Sequence, residues 1–478
     1  MNSEVIEKVT TLLKALEAGY AFGPAGTSVQ GAALQRQDLS GIMNNVTYQS
    51  QMLVLQKVIP TRVAKSMTVE YRRQLSYGGL QGVATVEVSA GKSITGDYES
   101  LLAAMAFYTV SSIVSFAATQ VQAFDNVQNE EREAHNAAMV IAGAIELDLF
   151  RGHADFSNGG VFDGAPSAMP LGTVMPGMIG LDPQIRQANL SYQARSLDMF
   201  EYGAGGSTLL NVGGTLAQSN IEDGLSHSVM NFGEARTLYL DPLTHAAYNK
   251  IIFNKEHSYV NMGQQPPSAT GAALTQQWTA NGQCSLITSR FLSGKTAPPP
   301  VMTPNTPSAP TVSGAAASST TGYLNNQVIT YFVTSVNEQG EGTASSNVTV
   351  TLSGNGQQVN LSITAAAGTA AYWFNVYAST PGSATVSSTA QCKFIGRVKA
   401  SATPTTLVTT FADLGNFVPG SVTGFLLDKR NMERPQLSSF AKLNGATVDT
   451  AVRSLFVQAE TVIAITPAFN ILLSNLTA

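Results

Sequence analysis

The sequence predicts an α+β fold carrying an inserted all-β module, and three observations predict it. Strand-period and helix-period runs share the first third of the chain: Met67, Val69 and Tyr71 alternate with Thr68, Glu70 and Arg72, whereas Ala134, Ala138, Ile141, Ala142 and Ile145 recur at helical spacing. A proline-dense stretch from Thr296 to Pro310, six prolines in fifteen residues, reads as a stiff linker leaving one domain. Beyond it only short β-type runs occur as far as Pro419, after which the first style resumes in two strongly apolar strands close to the end of the sequence.

At 478 residues the chain has room for two or three domains. Apolar residues make up an ordinary 44%, but charged residues only 12%, about half the usual share of roughly 25%. A surface so poor in charge suits extensive subunit contacts, because charge is depleted in the cores of interfaces. The net charge is -5 with no cluster of Lys and Arg, which argues against phosphate-led nucleic-acid binding; a container wall that does not adhere to its contents and an ordinary acidic cytosolic protein fit this equally well. Cys284 and Cys392 are far apart and suggest neither a disulfide framework nor a zinc site. The first residues are acidic and amphipathic, unlike a basic-then-apolar signal peptide. No window approaches the ~18 apolar residues of a membrane span.

Read in order, Ser3 caps a helix whose Val5, Ile6, Val9, Leu12, Leu13 and Leu16 share one face, with Gly19 as the stop. Tyr20 to about Gln56 is Gly- and polar-rich and reads as an extended arm. The next segment, 65–96, reads as a two-armed β-ribbon: Met67 to Arg72 form one arm, Gly78-Gly79 turn the chain, and Val86 and Val88 flank Glu87 on the returning arm. Phe107 to Phe116 is strand-like. Asp125 with Gln128 opens a long helix as a capping-box variant, and Glu130, Glu131 and Glu133 sit where the helix dipole favours acids. The helix runs to Arg151-Gly152, a rod of about 38 Å at 1.5 Å per residue. Loops follow to about Pro183. Leu216 to Val229 is helix-like, Arg236 to Leu240 strand-like, and Asp241-Pro242 starts a helix with an N-cap and a first-turn proline.

Within the module the expected strands are Val328–Val336, Asn347–Leu352, Val359–Ile363, Tyr372–Tyr377, Phe394–Val398 and Leu407–Phe411, separated by Gly, Asn and Ser turns as in a β-sandwich. Trp373, Tyr331 and Phe374 are the expected core anchors. Val457–Ile465 and Phe469–Leu473 follow the module, and strands there must join a sheet begun earlier. The module is therefore an insertion into a discontinuous parent domain.

Chemistry finds no foothold. His135, His153, His227, His245 and His257 are scattered without metal-ligand spacing, and neither a G-x-S-x-G elbow nor a P-loop occurs. The Gly203-Ala-Gly-Gly-Ser stretch lacks a preceding strand and the G-x-G-x-x-G spacing, so it reads as a loop. Neither cysteine has a neighbouring histidine in sequence. The expectation is a structural protein, not an enzyme, with no cofactor.

The order of arm, β-ribbon, long helix ending at Leu149-Phe150-Arg151-Gly152, strand-Asp241-Pro242-helix step and closing apolar strands resembles the major capsid proteins of tailed bacteriophages, whose shell fold is shared with herpesvirus capsids and encapsulins. The resemblance covers most of residues 20–296 and 421–478. It implies an N-terminal helix and arm (1–64), an extended β-loop (65–96) lying over an adjacent subunit, a peripheral domain with the long helix as its spine (97–190 and 446–478), and an axial domain (191–295 and 421–445) meeting its copies around symmetry axes. A Pro-rich linker (296–309) would lead to an outward sandwich (310–420), whose Val333–Glu341 and Asn375–Thr380 stretches resemble immunoglobulin and fibronectin type III modules. The implied function is self-assembly, as hexamers and pentamers, into an icosahedral shell around a phage genome. Scaffolding, portal and cement proteins are the implied further partners, packaged DNA is met only non-specifically, no membrane is involved, and the location is the virion after assembly in the host cytoplasm. Arg72 or Arg73 with Glu130 or Glu131 of another copy, together with Glu87 and Lys92, are the expected inter-subunit contacts. Some members crosslink a loop lysine to a neighbour's asparagine, but this is the exception and is not carried over to Lys92. The alternatives are an encapsulin-like cargo compartment and a virion fibre or adhesin in which Trp373 contacts a glycan.

Overall fold

The computed structural model describes residues 50–78, 83–85, 87, 90–91, 93–115, 129–152, 178–193, 206–256, 274–293, 306–337, 340–368, 371, 373–382, 384–400, 408–415, 418–444 and 451–477. The chain divides into two compact units, Met1–Tyr48 with Phe116–Arg132 and Gln49–Ser115 with Glu133–Ala478. Of the first, only residues 129–132 are described, so the expected N-terminal helix, most of the arm and the helix start at Asp125 lie outside the described residues.

In the second unit a short helix, α1 (Leu55–Val58), leads into β1 (Thr61–Val63), and the strands β2 (Thr68–Ser76) and β3 (Asp97–Ala104) pair only with each other. β4 (Ala106–Ser115) precedes the long helix α2 (Asn129–Arg151), which is followed by α3 (Leu181–Gln193). Next come β5 (Leu209–Gly214), α4 (Gln218–Met230), β6 (Thr237–Leu240), α5 (Pro242–Glu256), β7 (Gln276–Thr279) and β8 (Gly282–Thr288). The inserted module contributes β9 (Thr311–Tyr323), β10 (Val328–Asn337), β11 (Gly340–Ala344), β12 (Val348–Thr351), β13 (Gln357–Thr364), β14 (Trp373–Ala378), β15 (Lys393–Lys399) and β16 (Val408–Asp413). β17 (Val422–Leu427), β18 (Met432–Asn444), β19 (Ala451–Glu460), β20 (Ile463–Ala464) and β21 (Ile471–Leu476) close the fold.

Two sheets form the body. One has the order β1-β18-β19-β4, with β20 on β18; the other runs β5-β21-β17-β6-β8-β7. The helix α2 joins them. Its Ala137, Ile141, Ile145, Leu149 and Phe150 are buried in one cluster with Phe456 of the first sheet and Tyr239, Phe425, Leu427 and Leu472 of the second. Phe150 meets Phe425 and Tyr239 edge-on, with ring centroids 5.3 and 6.0 Å away. The far side of the second sheet is closed by Ile221 and Leu225 of α4 and Tyr248 and Ile252 of α5, so β6, β17 and β21 are buried on both faces. That explains their unbroken apolar runs. Asp241 accepts hydrogen bonds from the Leu243 and Thr244 N–H groups, the N-cap expected from Asp-Pro. Gly152 ends α2 where no other residue fits, because a Cβ there would lie 2.3 Å from the Met178 carbonyl and 2.5 Å from that of Asp148.

The C-terminal segment divides differently from the sequence expectation. β19, not the final strand, pairs with β4 and carries β18 on its other edge, whereas β17 and β21 sit side by side in the sheet built on β6. The order of apolar runs is the same under either assignment, and only the pairing of strands separates them. The insertion itself is direct: β8 before the module and β17 after it flank β6 in one sheet.

The module is a two-sheet β-sandwich, β11-β10-β14-β15 with β12 on β10, facing β16-β13-β9. Tyr331, Val333, Phe374 and Val376 pack on Leu361, Ile363 and Phe411 in a core separate from that of the body. Asp413 accepts hydrogen bonds from Tyr323 and Tyr331 at 2.7 and 2.8 Å. Two strands were not expected, β9 and β11. Between Val312 and Tyr323 β9 is all small residues; at Gly314 a Cβ would come within about 3 Å of Val350, Leu361 and Val348, so smallness rather than apolarity fits it there. Trp373 is not a core anchor. Phe374 and Val376 face the core, so strand alternation turns Trp373, Asn375 and Tyr377 to the other side, where the Arg397 guanidinium lies over the Trp373 ring at 5.9 Å.

Arg397 also acts across to the body, because its charge opposes the raised proton affinity of Asp148 on α2. Burial pushes the Asp148 carboxyl up to about 6, while the Tyr108 hydroxyl, donating at 2.7 Å, pulls it down. An unfolded aspartate titrates near ~3.9, so the folded state holds this proton more tightly. The resulting stabilisation is complete below about pH 4 and is lost as pH rises through about 6. Asp148→Asn keeps an acceptor for Tyr108 and removes the titration. Relative to the parent, its stability by urea unfolding should improve by about 1–3 kcal/mol between pH 4 and pH 7.5.

Candidate assembly surface

The β2–β3 ribbon runs in antiparallel register from Thr68↔Ala104 to Gln74↔Tyr98, then shifts before Ser76↔Asp97. The described partner of β2 is thus Asp97–Ala104; Glu87 lies in an exposed turn, and Val86, Val88 and Lys92 lie outside the described residues. In the observed register Val69, Tyr71 and Leu75 on one arm share one side with Leu101 and Ala103 on the other, and a one-residue slip would part them.

That side does not leave its own subunit, contrary to expectation. Val69 packs with Met105 and Ile463, and Leu75 with Ala188 of α3 and Ala468. The cross-strand pair Arg73–Glu99, bonded at 2.7–2.8 Å with the Arg73 side chain nearly buried, fixes register on this face. An isolated two-stranded ribbon is marginal in water, and this packing supplies the missing support.

The other face is open. It presents Glu70, Arg72 and Gln74 opposite Leu102, Ser100 and Tyr98, with Tyr98 70% and Leu102 62% exposed. Glu70 accepts from Arg72 at 3.1 Å and from Ser100 at 2.7 Å; the Ser100 hydrogen bond first, then Arg72, holds its carboxyl below the usual range. Beyond the paired arms Tyr77 (82% exposed), Val83 and Ile94 are also in solvent. Gly78 starts the tip at φ +103°, with Thr95 O only 2.9 Å from where a Cβ would stand. Single exposed apolar residues are ordinary, but five large ones along one narrow ribbon mark an interaction surface.

Two further surfaces carry the same signature. On the face of the first sheet opposite α2, Leu443 pairs with Leu455, beside Ile113 paired with Arg453, and all three apolar residues are exposed. Trp278, on the edge strand β7, is 73% exposed. Of the expected contact residues, Arg72 and Glu87 are exposed, Arg73 is engaged with Glu99, and Glu130 and Glu131 stand in the first turn of α2. Sequence reasoning missed Tyr98, Leu102 and Glu99, because the ribbon's second arm was placed too early. It also missed Glu146, an acid among Ile145, Leu149 and Phe150 in the buried turn of α2. Its carboxylate accepts from the Val54, Leu55 and Gln56 N–H groups at 2.8, 2.7 and 3.1 Å. Burial raises its proton affinity, and those three donors and the Arg434 charge oppose the rise.

Among the described residues no three His, Cys, Asp or Glu side chains gather as a metal site, both cysteines are buried and free, and no helix is long and apolar enough to cross a membrane.

No protein-family model matches the sequence, and no curated protein matches it. Solved structures do. The capsid of a native GTA particle aligns over 96% of this chain and 100% of its own at 10% identity, with a TM-score of 0.45. The capsid of the Myoviridae phage XM1 aligns over 95% and 100% at 8% identity, with a TM-score of 0.40. The SrpI encapsulin of Synechococcus elongatus aligns over 95% and 96% at 7% identity, with a TM-score of 0.38.

Proposed function

We propose that this chain is the subunit of a closed protein shell, the major capsid protein of a tailed phage, and that its role is structural rather than catalytic. The observation that carries this is the β2–β3 ribbon. One face is secured to its own body through Val69, Leu75 and the Arg73–Glu99 pair, while Tyr98 and Leu102 on the other face and Tyr77 beyond it have no covering group among the described residues. Such a surface gains most by lying on a copy of the same molecule, and a contact between unlike surfaces repeated by rotation closes rings and shells. The charge-poor composition suits a chain with several such interfaces. Arg72 and Glu87 of the ribbon and Glu130 and Glu131 of α2 are the charged contacts of this reading. They set register more than they add energy, because exposed pairs are worth little. Hexamers and pentamers around a genome, a portal, scaffolding and cement proteins, and a virion assembled in the host cytoplasm complete the reading. The sandwich, with its own core, is then an immunoglobulin-like outward decoration.

The double substitution Tyr98→Ser, Leu102→Ser removes the apolar side chains from the open face and leaves the secured face untouched. Burying each such side chain is worth about 1.5–3 kcal/mol, so closed particles should disappear from negative-stain images while the far-ultraviolet circular dichroism stays unchanged. Normal shells from this variant would refute the ribbon's role. Replacing residues 305–420 by a short Gly-Ser bridge should leave particle formation intact, checked by the same imaging; failure to form particles from a folded chain would mean that the sandwich is part of the wall.

A further inference from the structure

Helix α4 ends on a residue whose side chain resists the backbone conformation it adopts. The Phe232 N–H donates to the Val229 carbonyl at 2.9 Å and the Gly233 N–H to that of Ser228 at 2.8 Å. These are the two bonds of a Schellman turn, which places a left-handed residue at position 232, and Phe232 accordingly has φ +69°. Glycine is the usual occupant, because a Cβ makes this conformation costly. Gly233 could not take a larger side chain in exchange: a Cβ there would stand 2.7 Å from Phe469 Cβ and 2.8 Å from Ser228 Oγ. Phe232 gains little from its own chain, being 56% exposed beside Val229 (45%) and Met230 (55%). The turn is nevertheless held firmly. Asn231, fully buried, accepts from the Gly206 N–H at 2.9 Å and donates to the Gly206 and Ala468 carbonyls at 3.1 and 3.0 Å, while Ser228 Oγ donates to the Phe469 carbonyl at 2.7 Å. Strain persists only where the surroundings over-determine it, and here they fix an aromatic side chain in solvent.

We propose that Phe232, with Val229 and Met230, is a knob that seats against the β7 edge of a second copy of this chain, an inference that rests on the shell reading. The charge around the knob favours an apolar partner: Glu234 is already paired with Arg430 at 2.8 Å, so nothing there attracts an ionic one. Position favours a copy. α4 packs over β5 and β21 through Ile221 and Leu225, whereas Trp278, 73% exposed, stands on β7 at the opposite edge of the same six-stranded sheet. Both lie toward the end from which β6 starts, because Trp278 pairs with Gln283, two residues before Ser285, and Ser285 lies opposite Thr237. Unlike prominences on opposite edges of one sheet are what a head-to-tail contact repeated by rotation requires. An aromatic side chain buries about 150–250 Å² and a stable pair of proteins needs about 800 Å² on each side. The knob therefore makes no dimer alone; it acts within an assembly to which the ribbon adds its own area.

Strain makes folding and assembly respond in opposite directions. Phe232→Gly relieves the left-handed backbone, so the urea midpoint of the unassembled full-length chain should stay at or above that of the parent. The same variant should raise by about tenfold or more the protein concentration at which closed particles appear in negative-stain images. Phe232→Asn, whose short side chain also accepts this conformation, should behave alike and covers a glycine variant that loses the turn. Trp278→Ser should raise the threshold similarly, and adding it to Phe232→Gly should change little more, because the two remove one contact. A parent chain that forms no particles fails the shell reading and takes this proposal with it. Parent particles with an unchanged threshold in the Phe232 variants or in Trp278→Ser would overturn the knob contact alone. A lowered midpoint in both Phe232 variants would make Phe232 a residue of its own fold and overturn the proposal too.

Discussion

The fold depends on the last two turns of the long helix. Phe150 sits between Tyr239 and Phe425 of one sheet, while Ile141 and Ile145, a few residues earlier, share a cluster with Phe456 of the other. Two sheets that do not hydrogen-bond to each other are thereby given one core. The helix must end at once to keep this contact, and Gly152, pressed against the Met178 and Asp148 carbonyls, is how it ends. Arg151 follows from the same geometry. Its guanidinium donates to the Leu292 carbonyl and lies within reach of the Asp182 and Asp241 charges, so the helix terminus also gathers the starts of α3 and α5.

Polar groups in this apolar junction act as connectors. Glu146 receives the chain arriving from Ser50, Asp148 receives Tyr108 of β4, and Asp241 caps α5. Glu146 and Asp148 take their donors from distant parts of the chain, and Asp241 adds the Ser293 hydroxyl to its local N–H groups. Such a group costs free energy unless every partner is in place, so it contributes specificity of arrangement more than stability. The apolar contacts could tolerate a sliding helix; the three N–H groups on Glu146 could not.

The ribbon and the sandwich show two ways of adding to this body. The ribbon has no core of its own and borrows one side of support from Ile463, Ala188 and Ala468, which leaves its opposite side for another molecule. The sandwich has a complete core centred on Tyr331 and Phe374 and is joined between strands of one sheet, so it needs little from its host.

Sequence alone determined the kinds and order of elements: the strand period at Val69 and Tyr71, the helix through Ile141 and Ile145, the Asp241-Pro242 helix start and six of the module's strands. These are local properties, written in side-chain periodicity and turn chemistry. Tertiary structure decided what periodicity cannot encode. It paired β2 with Asp97–Ala104, in a register that puts Leu101 and Ala103 beside Tyr71 and Val69. It placed β21 beside β17 and set β19 between β18 and β4. It turned Trp373 away from the core through the parity set by Phe374, and recruited the small residues of β9 where Leu361 leaves no room for larger ones. Pairing and parity are relations between distant segments, and their energies appear only when the partners meet.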